Sequence, residues 1–169
     1  IREAQLADSQ SQPLPLPLHT LRDILGRLAV GLIVNRGREN NAITPQQVKT
    51  TLNILEIPLP IEIPTEMAVQ LDLMTPLNIG FGHSSYRFTH MKLRDHLAFA
   101  HAVNRLVDQQ FSDVIRVESV TWLWDVVGER AAIPLLSIAR SRDDLPRVRR
   151  AVIIELGERH YVGARDPLL

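Results

Sequence analysis

LNIGFGHSSYRFTHMKLRDHLAFAHAVNRL, residues 77–106, changes its periodicity part-way along. LNIGF (77–81) and YRFTH (86–90) alternate as short strands do, and the GHSS between them reads as a glycine-containing hairpin loop. From about Met91 to Asp108 the spacing is helical, with Leu93, Leu97, Ala100 and Val103 or Val107 on one face. A hairpin running into a long helix is the frame on which the flanking segments must be placed.

Upstream, Leu21, Leu25, Leu28, Leu32 and Ile33 form one apolar stripe of a helix that begins near Thr20. It should stop near Asn35–Gly37, where glycine accepts the left-handed terminal conformation. ITPQQV (43–48) is a helix start: Thr44 caps, Pro45 loses nothing by lacking an N–H, and Gln47 completes a capping box. That helix should reach about Leu55. IPLPIEIP (57–64) is expected to be non-helical because Pro58, Pro60 and Pro64 crowd it, and Thr65 is expected to cap a short helix from Glu66 to Met74. Three helices, a two-stranded β-hairpin and a closing helix describe a winged-helix domain over residues 20–110. PLPLPL (13–18) makes residues 1–19 a semi-rigid, proline-rich linker.

Downstream, residues 113–127, 130–141 and 147–159 read as helices. DLPRVRRAVIIELG (144–157) has Pro146 at its helix start and a ladder of Val148, Ala151, Val152 and Leu156. VIRVESVTWLW echoes it at an offset of about 32 residues, with Ser119 and Val120 under Ala151 and Val152. Residues 111–169 are therefore expected to be HEAT-like α-hairpin repeats, incomplete because so few repeats bury their own faces poorly. The whole is a mainly α chain.

The 169 residues are 45% hydrophobic, enough for a core, and the formal net charge is zero. Residues 1–110 hold ten basic and ten acidic side chains and residues 111–169 nine of each. The basic excess that supplies most nucleic-acid affinity is missing. Without cysteine there is no disulfide, zinc-thiolate or thiol chemistry, which fits a cytoplasmic protein. No run of 18 apolar residues offers a membrane span. A start at Ile1 without a signal-peptide pattern suggests a piece of a longer protein.

Four chemistries can be weighed against the residues. For metal, His90, His96 and His101 have neither the i, i+3 nor the i, i+4 spacing of helical ligand pairs, and His90 and His101 stand about 16 Å apart along a helix axis. For hydrolysis, Ser84, Ser85, His90 and Asp95 supply the residue types of a triad but no nucleophile elbow. For nucleotide hydrolysis there is no G-x-x-x-x-G-K-[ST], so no enzyme activity is expected of this stretch alone. For DNA, the third helix of a winged-helix unit would be TEMAVQLDLM, with Glu66 and Asp72 and no base, which leaves only the wing and Arg87.

YRFTHMKLRDHLAFA resembles the end of the winged-helix domain in NACHT-type signalling ATPases, the STAND class. Tyr86, Phe88, His90, Asp95, Leu97 and Ala98 fall on that pattern, with Asp95 in place of the usual Glu and His96 in place of an aromatic. DLPRVRRAVIIELG is similar to the second helix of a HEAT repeat through Asp144, Pro146, Val148, Arg149, Ala151, Leu156 and Gly157. The resemblance implies that His90 reaches the phosphate of ADP (or ATP) held by a nucleotide-binding domain of the same parent chain. It also implies that Phe88 is core, that Asp95 pairs with an arginine or caps locally, and that Asp144 and Arg149 hold adjacent turns together. Trp122 and Trp124 should pack between helices. Arg140, Arg142, Arg147 and Arg150 form an exposed cluster that reads as a solvated face, with a surface for protein partners as the alternative. The implied role is regulatory signal transduction, against an alternative as a winged-helix adaptor or DNA-binding regulator.

Overall fold

The structure is a computed structural model that describes residues 15–36, 41–79, 83–141 and 144–159. It is mainly helical, with one small antiparallel sheet of three strands. Along the chain run α1 (Leu18–Arg36), β1 (Ala42–Ile43), α2 (Pro45–Ile54), α3 (Glu62–Gln70), β2 (Met74–Ile79) and β3 (His83–Phe88). Then follow α4 (Met91–Val107), α5 (Asp113–Val127), a 3-10 turn (Gly128–Ala131), α6 (Ala132–Arg140) and α7 (Pro146–Glu158). No helix among the described residues is long and apolar enough to cross a membrane.

α1 is the centre of the packing. The expected stripe is only part of its apolar surface, since Ile24, Ala29 and Val30 are buried beside Leu21, Leu25, Leu28, Leu32 and Ile33. A helix with so wide an apolar face needs several neighbours, and α1 touches α2, α3, β1, α4 and α5, while Arg22 stays exposed and Asp23 and Arg27 half-buried. The helix also starts earlier than expected: Leu18 and His19 belong to it and Leu16 is in the core, so the last residues assigned to the linker are packed structure. Residues 1–14 of that linker lie outside the described residues.

α2 starts as its sequence dictates. The Thr44 hydroxyl accepts from the Gln47 amide at 3.3 Å, and the Gln47 side chain accepts from the Thr44 amide at 2.8 Å. α3 corrects two expectations. It begins at Glu62, so Pro64 lies inside its first turn, where a missing N–H costs nothing. Thr65 is not its cap; its hydroxyl donates back to the carbonyls of Ile61 and Glu62. α3 also stops at Gln70, and Met74 opens β2 instead of closing the helix.

Both α2 and α3 end in the same motif. After α2, Ile57 N–H donates to Leu52 O and Glu56 N–H to Asn53 O; after α3, Leu73 N–H donates to Ala68 O and Asp72 N–H to Val69 O. These paired bonds need a left-handed residue past the cap, and Glu56 (φ 56°) and Asp72 (φ 55°) occupy that place. Glutamate has no short polar side chain to ease αL, so Glu56→Gly should stabilise the fold by about 1 kcal/mol, and Asp72→Gly by less. Urea melts of the two variants check the order; no gain for Glu56→Gly would contradict it.

The sheet order is β1-β3-β2, with β3 central. β1, only two residues long, pairs Ala42 with Arg87 and Ile43 with Tyr86. It was not expected, because two residues carry no readable alternation. Pro76 faces Tyr86 from the edge strand β2, where its missing donor is tolerated. The strands also differ from expectation in extent: β2 begins at Met74, and β3 takes in His83, Ser84 and Ser85 of the expected loop. Gly80–Gly82 lie outside the described residues.

α4 is rotated by about one residue from its expected face. Arg94, Ala98, His101, Ala102 and Leu106 are the buried positions, while Leu93, Leu97, Ala100 and Val103 are half-buried and Val107 is exposed. The reason is close approach: α4 lies against α1, and a Cβ added at Gly26 would meet the His101 Cβ at 2.7 Å. The small residue is Gly26 on α1, whose missing side chain leaves room for His101.

α5 and α7 lie side by side in register. Arg147 Nη1 donates to Asp113 Oδ2 at 2.9 Å, Thr121 Oγ1 to Glu155 Oε2 at 3.5 Å, and Arg159 Nη2 to Asp125 Oδ1 at 3.2 Å. Each pair is 34 residues apart, so the two helices are parallel and the internal offset is 34 where sequence comparison suggested about 32. α6 runs between them in sequence and packs on α7. Residues 142, 143 and 160–169, including Arg142, lie outside the described residues.

Candidate functional site

The corner between β3 and α4 holds the residues singled out from the sequence. Phe88 is 1% exposed and anchors β3 in the core, and its carbonyl accepts from Asn41 Nδ2 at 2.8 Å. Thr89 continues the sheet: its N–H donates to Leu73 O, and its hydroxyl lies 3.3 Å from that of Thr75. His90 then turns the chain. It is extended (φ −131°, ψ 131°), it occupies the N-cap position of α4, and its carbonyl accepts the Arg94 N–H at 3.1 Å. Its side chain makes no capping bond, and the residue is exposed. The first turn of α4 carries no acidic residue, so the positive end of the helix is left open to solvent beside an imidazole.

Asp95 is committed elsewhere. Its Oδ1 accepts from Arg94 Nε at 2.9 Å and Nη2 at 2.6 Å, and Arg94 itself is 1% exposed. Ser85 is buried in the sheet opposite Leu77. Among the described residues no hydrogen bond joins Ser85 to His90 or His90 to Asp95, so the triad types are not assembled; the Ser84 side chain is outside the description. His96 is exposed and lines a groove of about 390 Å³ with Lys92, Asp95, Phe99, Val127 and Arg130.

His101 departs furthest from expectation. Read as an ordinary helix residue, it is instead 5% exposed in the α1–α4 seam. Its Nδ1 is 4.0 Å from Asp23 Oδ1, beyond hydrogen-bonding distance, and its buried Nε2 has no partner among the described residues. Burial, and then the cations of Arg105 and Arg27, push its pKa down to about 3. The neutral imidazole is held between arginines that are themselves balanced. Burial lowers Arg27, with Glu118 opposing, and Arg27 lies over the Trp122 ring at 4.2 Å. Burial likewise lowers Arg105, with Asp23 and Glu118 opposing, and Arg105 lies over Phe111 at 5.1 Å. Trp122 and Trp124 are both buried.

A second buried cation ties α4 to the tail. Arg116 on α5, 1% exposed, donates from Nε to Leu106 O at 2.8 Å, and its Nη2 contacts Asp144 at 2.7 Å (Oδ1) and 2.8 Å (Oδ2). Asp144 also accepts from the Leu145 N–H at 2.9 Å. Asp144 therefore joins the α6–α7 connection to α5 and to the end of α4. Arg149 does not take part: it is half-buried, and its Nε has no partner among the described residues. Arg94, Arg105 and Arg116 were missed because arginine on an apolar ladder reads as a solvent-facing break. The available signal was their spacing, since Arg94 stands at i, i+4, i+7 and i+8 from Ala98, His101 and Ala102.

No protein family, no curated protein and no solved structure matches the chain.

Proposed function

We propose that residues 20–110 are a winged-helix unit, that residues 111–169 begin a HEAT-like stack, and that together they are the regulatory part of a NACHT/STAND-type signalling ATPase. In this reading the unit couples a helical sensor to ADP or ATP held by a nucleotide-binding domain of the parent chain, in the cytoplasm. The order α1-β1-α2-α3-β2-β3-α4 and the 34-residue register of α5 and α7 support the two folds.

The observation that carries the function is His90: an exposed imidazole at an uncapped helix N-terminus. Unsatisfied amides and the helix dipole favour an anion there, and an imidazole N–H adds one donor to a phosphate oxygen. α4 packs on both α1 and α5, so a change at the nucleotide is felt on the sensor side. The expected result in the full parent protein is that His90→Ala loosens ADP retention by about 10- to 100-fold, the worth of a hydrogen bond to a charged group, and raises basal signalling. Equal ADP retention and equal basal signalling would sink the reading.

DNA recognition through α3 finds no support in the side chains. The exposed residues of α3 are Glu62, Glu66 and Gln70, and between Lys49 and Arg87 the chain has no lysine or arginine.

A further inference from the structure

Two elements share one groove beside the start of α4. The groove, about 390 Å³, has the half-buried Phe99 and Val127 as its apolar floor. The exposed Lys92 and His96 line it from α4, and the exposed Arg130 lines it from the 3-10 turn. Its volume falls in the range of small-molecule sites, which combine apolar surface with a few convergent polar groups. A second groove of about 330 Å³ shares His96 and Phe99 and carries the floor along α4 past Ala100 to Val103 and Val107. There is room, therefore, for an apolar body longer than one ring.

The free charge around the floor has one sign. Lys92 and Arg130 form no salt bridge among the described residues. Asp95, the carboxylate of the lining, is taken by the buried Arg94, which donates to its Oδ1 from Nε and Nη2. Glu129 is exposed next to Arg130 but does not line the groove. The second groove holds both signs, Arg22 and Asp23, so the positive excess lies at the start of α4. We infer that this groove binds a small anion with an apolar body, its carboxylate or phosphate among Lys92, His96 and Arg130 and its body on Phe99 and Val127. Hydrogen bonds from a cation to an anion are charge-assisted, and they count for more beside an apolar wall than in open water. Lys92 and His96 follow His90 by two and six residues, about 200° and 240° round α4. The groove thus opens away from the imidazole proposed to meet ADP, and its ligand is a separate one.

The test titrates the whole chain with four probes that share one ring system: naphthoate, naphthyl phosphate, naphthylmethanol and naphthylmethylamine. Amide NMR should show both anions binding at submillimolar concentration and shifting Lys92, His96, Phe99, Val127 and Arg130. The alcohol and the amine should bind about tenfold more weakly, or less. Whichever anion binds tighter identifies the head group, and either order supports the inference. Lys92→Ala with Arg130→Ala should remove the advantage of the anions and leave the alcohol unchanged. Lys92→Glu with Arg130→Glu should pass the preference to the amine. Both positions are exposed, so circular dichroism should show the variants folded. Equal affinity for the four probes, shifts centred away from the groove, insensitivity to these substitutions, or no binding at millimolar concentration would each overturn the inference. None of those outcomes touches ADP retention, which alone decides the His90 reading.

Discussion

Asp144→Ala is expected to cost about 3–5 kcal/mol of stability, because it strands the buried Arg116 guanidinium without a counter-charge. Exposed ion pairs are worth far less, about 0–1 kcal/mol, so the size of the effect distinguishes this pair from the surface rungs Arg147–Asp113 and Arg159–Asp125. The loss should appear as a drop of roughly 6–20 °C in Tm, given the entropy of unfolding of a chain this size. The pair as such is a weaker source of stability than its breakage suggests. Arg116→Met together with Asp144→Ala should therefore recover much of the loss, although Leu106 O then loses its donor. A single-variant cost below about 1 kcal/mol would show that water reaches the guanidinium and that the pair does not hold the tail to α4.

The second large effect is on pH. His101 has a folded pKa of about 3 against an ordinary value of 6.5. Above pH 6.5 both folded and unfolded chains carry it neutral, and it contributes no pH dependence. Between 6.5 and 3 the unfolded chain takes up a proton that the folded one refuses, so stability falls as pH falls; below 3 the loss is complete. The full loss is about 5 kcal/mol, of which about 3 kcal/mol should be gone by pH 4.5. Burial sets most of this, followed by the cations of Arg105 on α4 itself and Arg27 on α1; Glu118 from α5 acts on both arginines and Asp23 from α1 on Arg105. Comparing denaturant melts at pH 7.5 and 4.5 for the native chain and His101→Leu isolates the term. The variant should be nearly neutral at pH 7.5, since Nε2 has no bond to lose, and should lose about 3 kcal/mol less on acidification. The same acid sensitivity in both chains would rule out His101 as its source.

What the sequence made legible was local. The Thr44–Gln47 box and Pro45 place the start of α2 because every group involved lies within four residues. The bounds of α5 and α7 fall within about a residue of expectation for the same reason: Ser112 caps one and Pro146 opens the other. What misled was chemistry that tertiary packing overrides. Arg94 and His101 face inward on α4 while Leu93 and Leu97 are only half-buried, since His101 fills the room left by Gly26 and Arg94 is paired with Asp95. β1 exists only because β3 offers it an edge, and no two-residue pattern announces that. Of the site residues, His90 could be placed at the strand–helix corner from periodicity. The burial of His101 and the Arg116–Asp144 link could not, because both depend on contacts between helices far apart in the chain.

The wide buried surface of α1 has a consequence for how the chain folds. The helix that presses hardest on it, α4, begins 55 residues after α1 ends, so α1 cannot finish its packing until most of the chain is available. Local helices form within about a microsecond, but the contacts that reward α1 require a long loop to close first. Until then the apolar residues of α1 from Leu21 to Ile33 stand exposed. The apolar surface that waits longest for its cover is therefore that of the best-packed helix, and the aggregation hazard of this fold lies there.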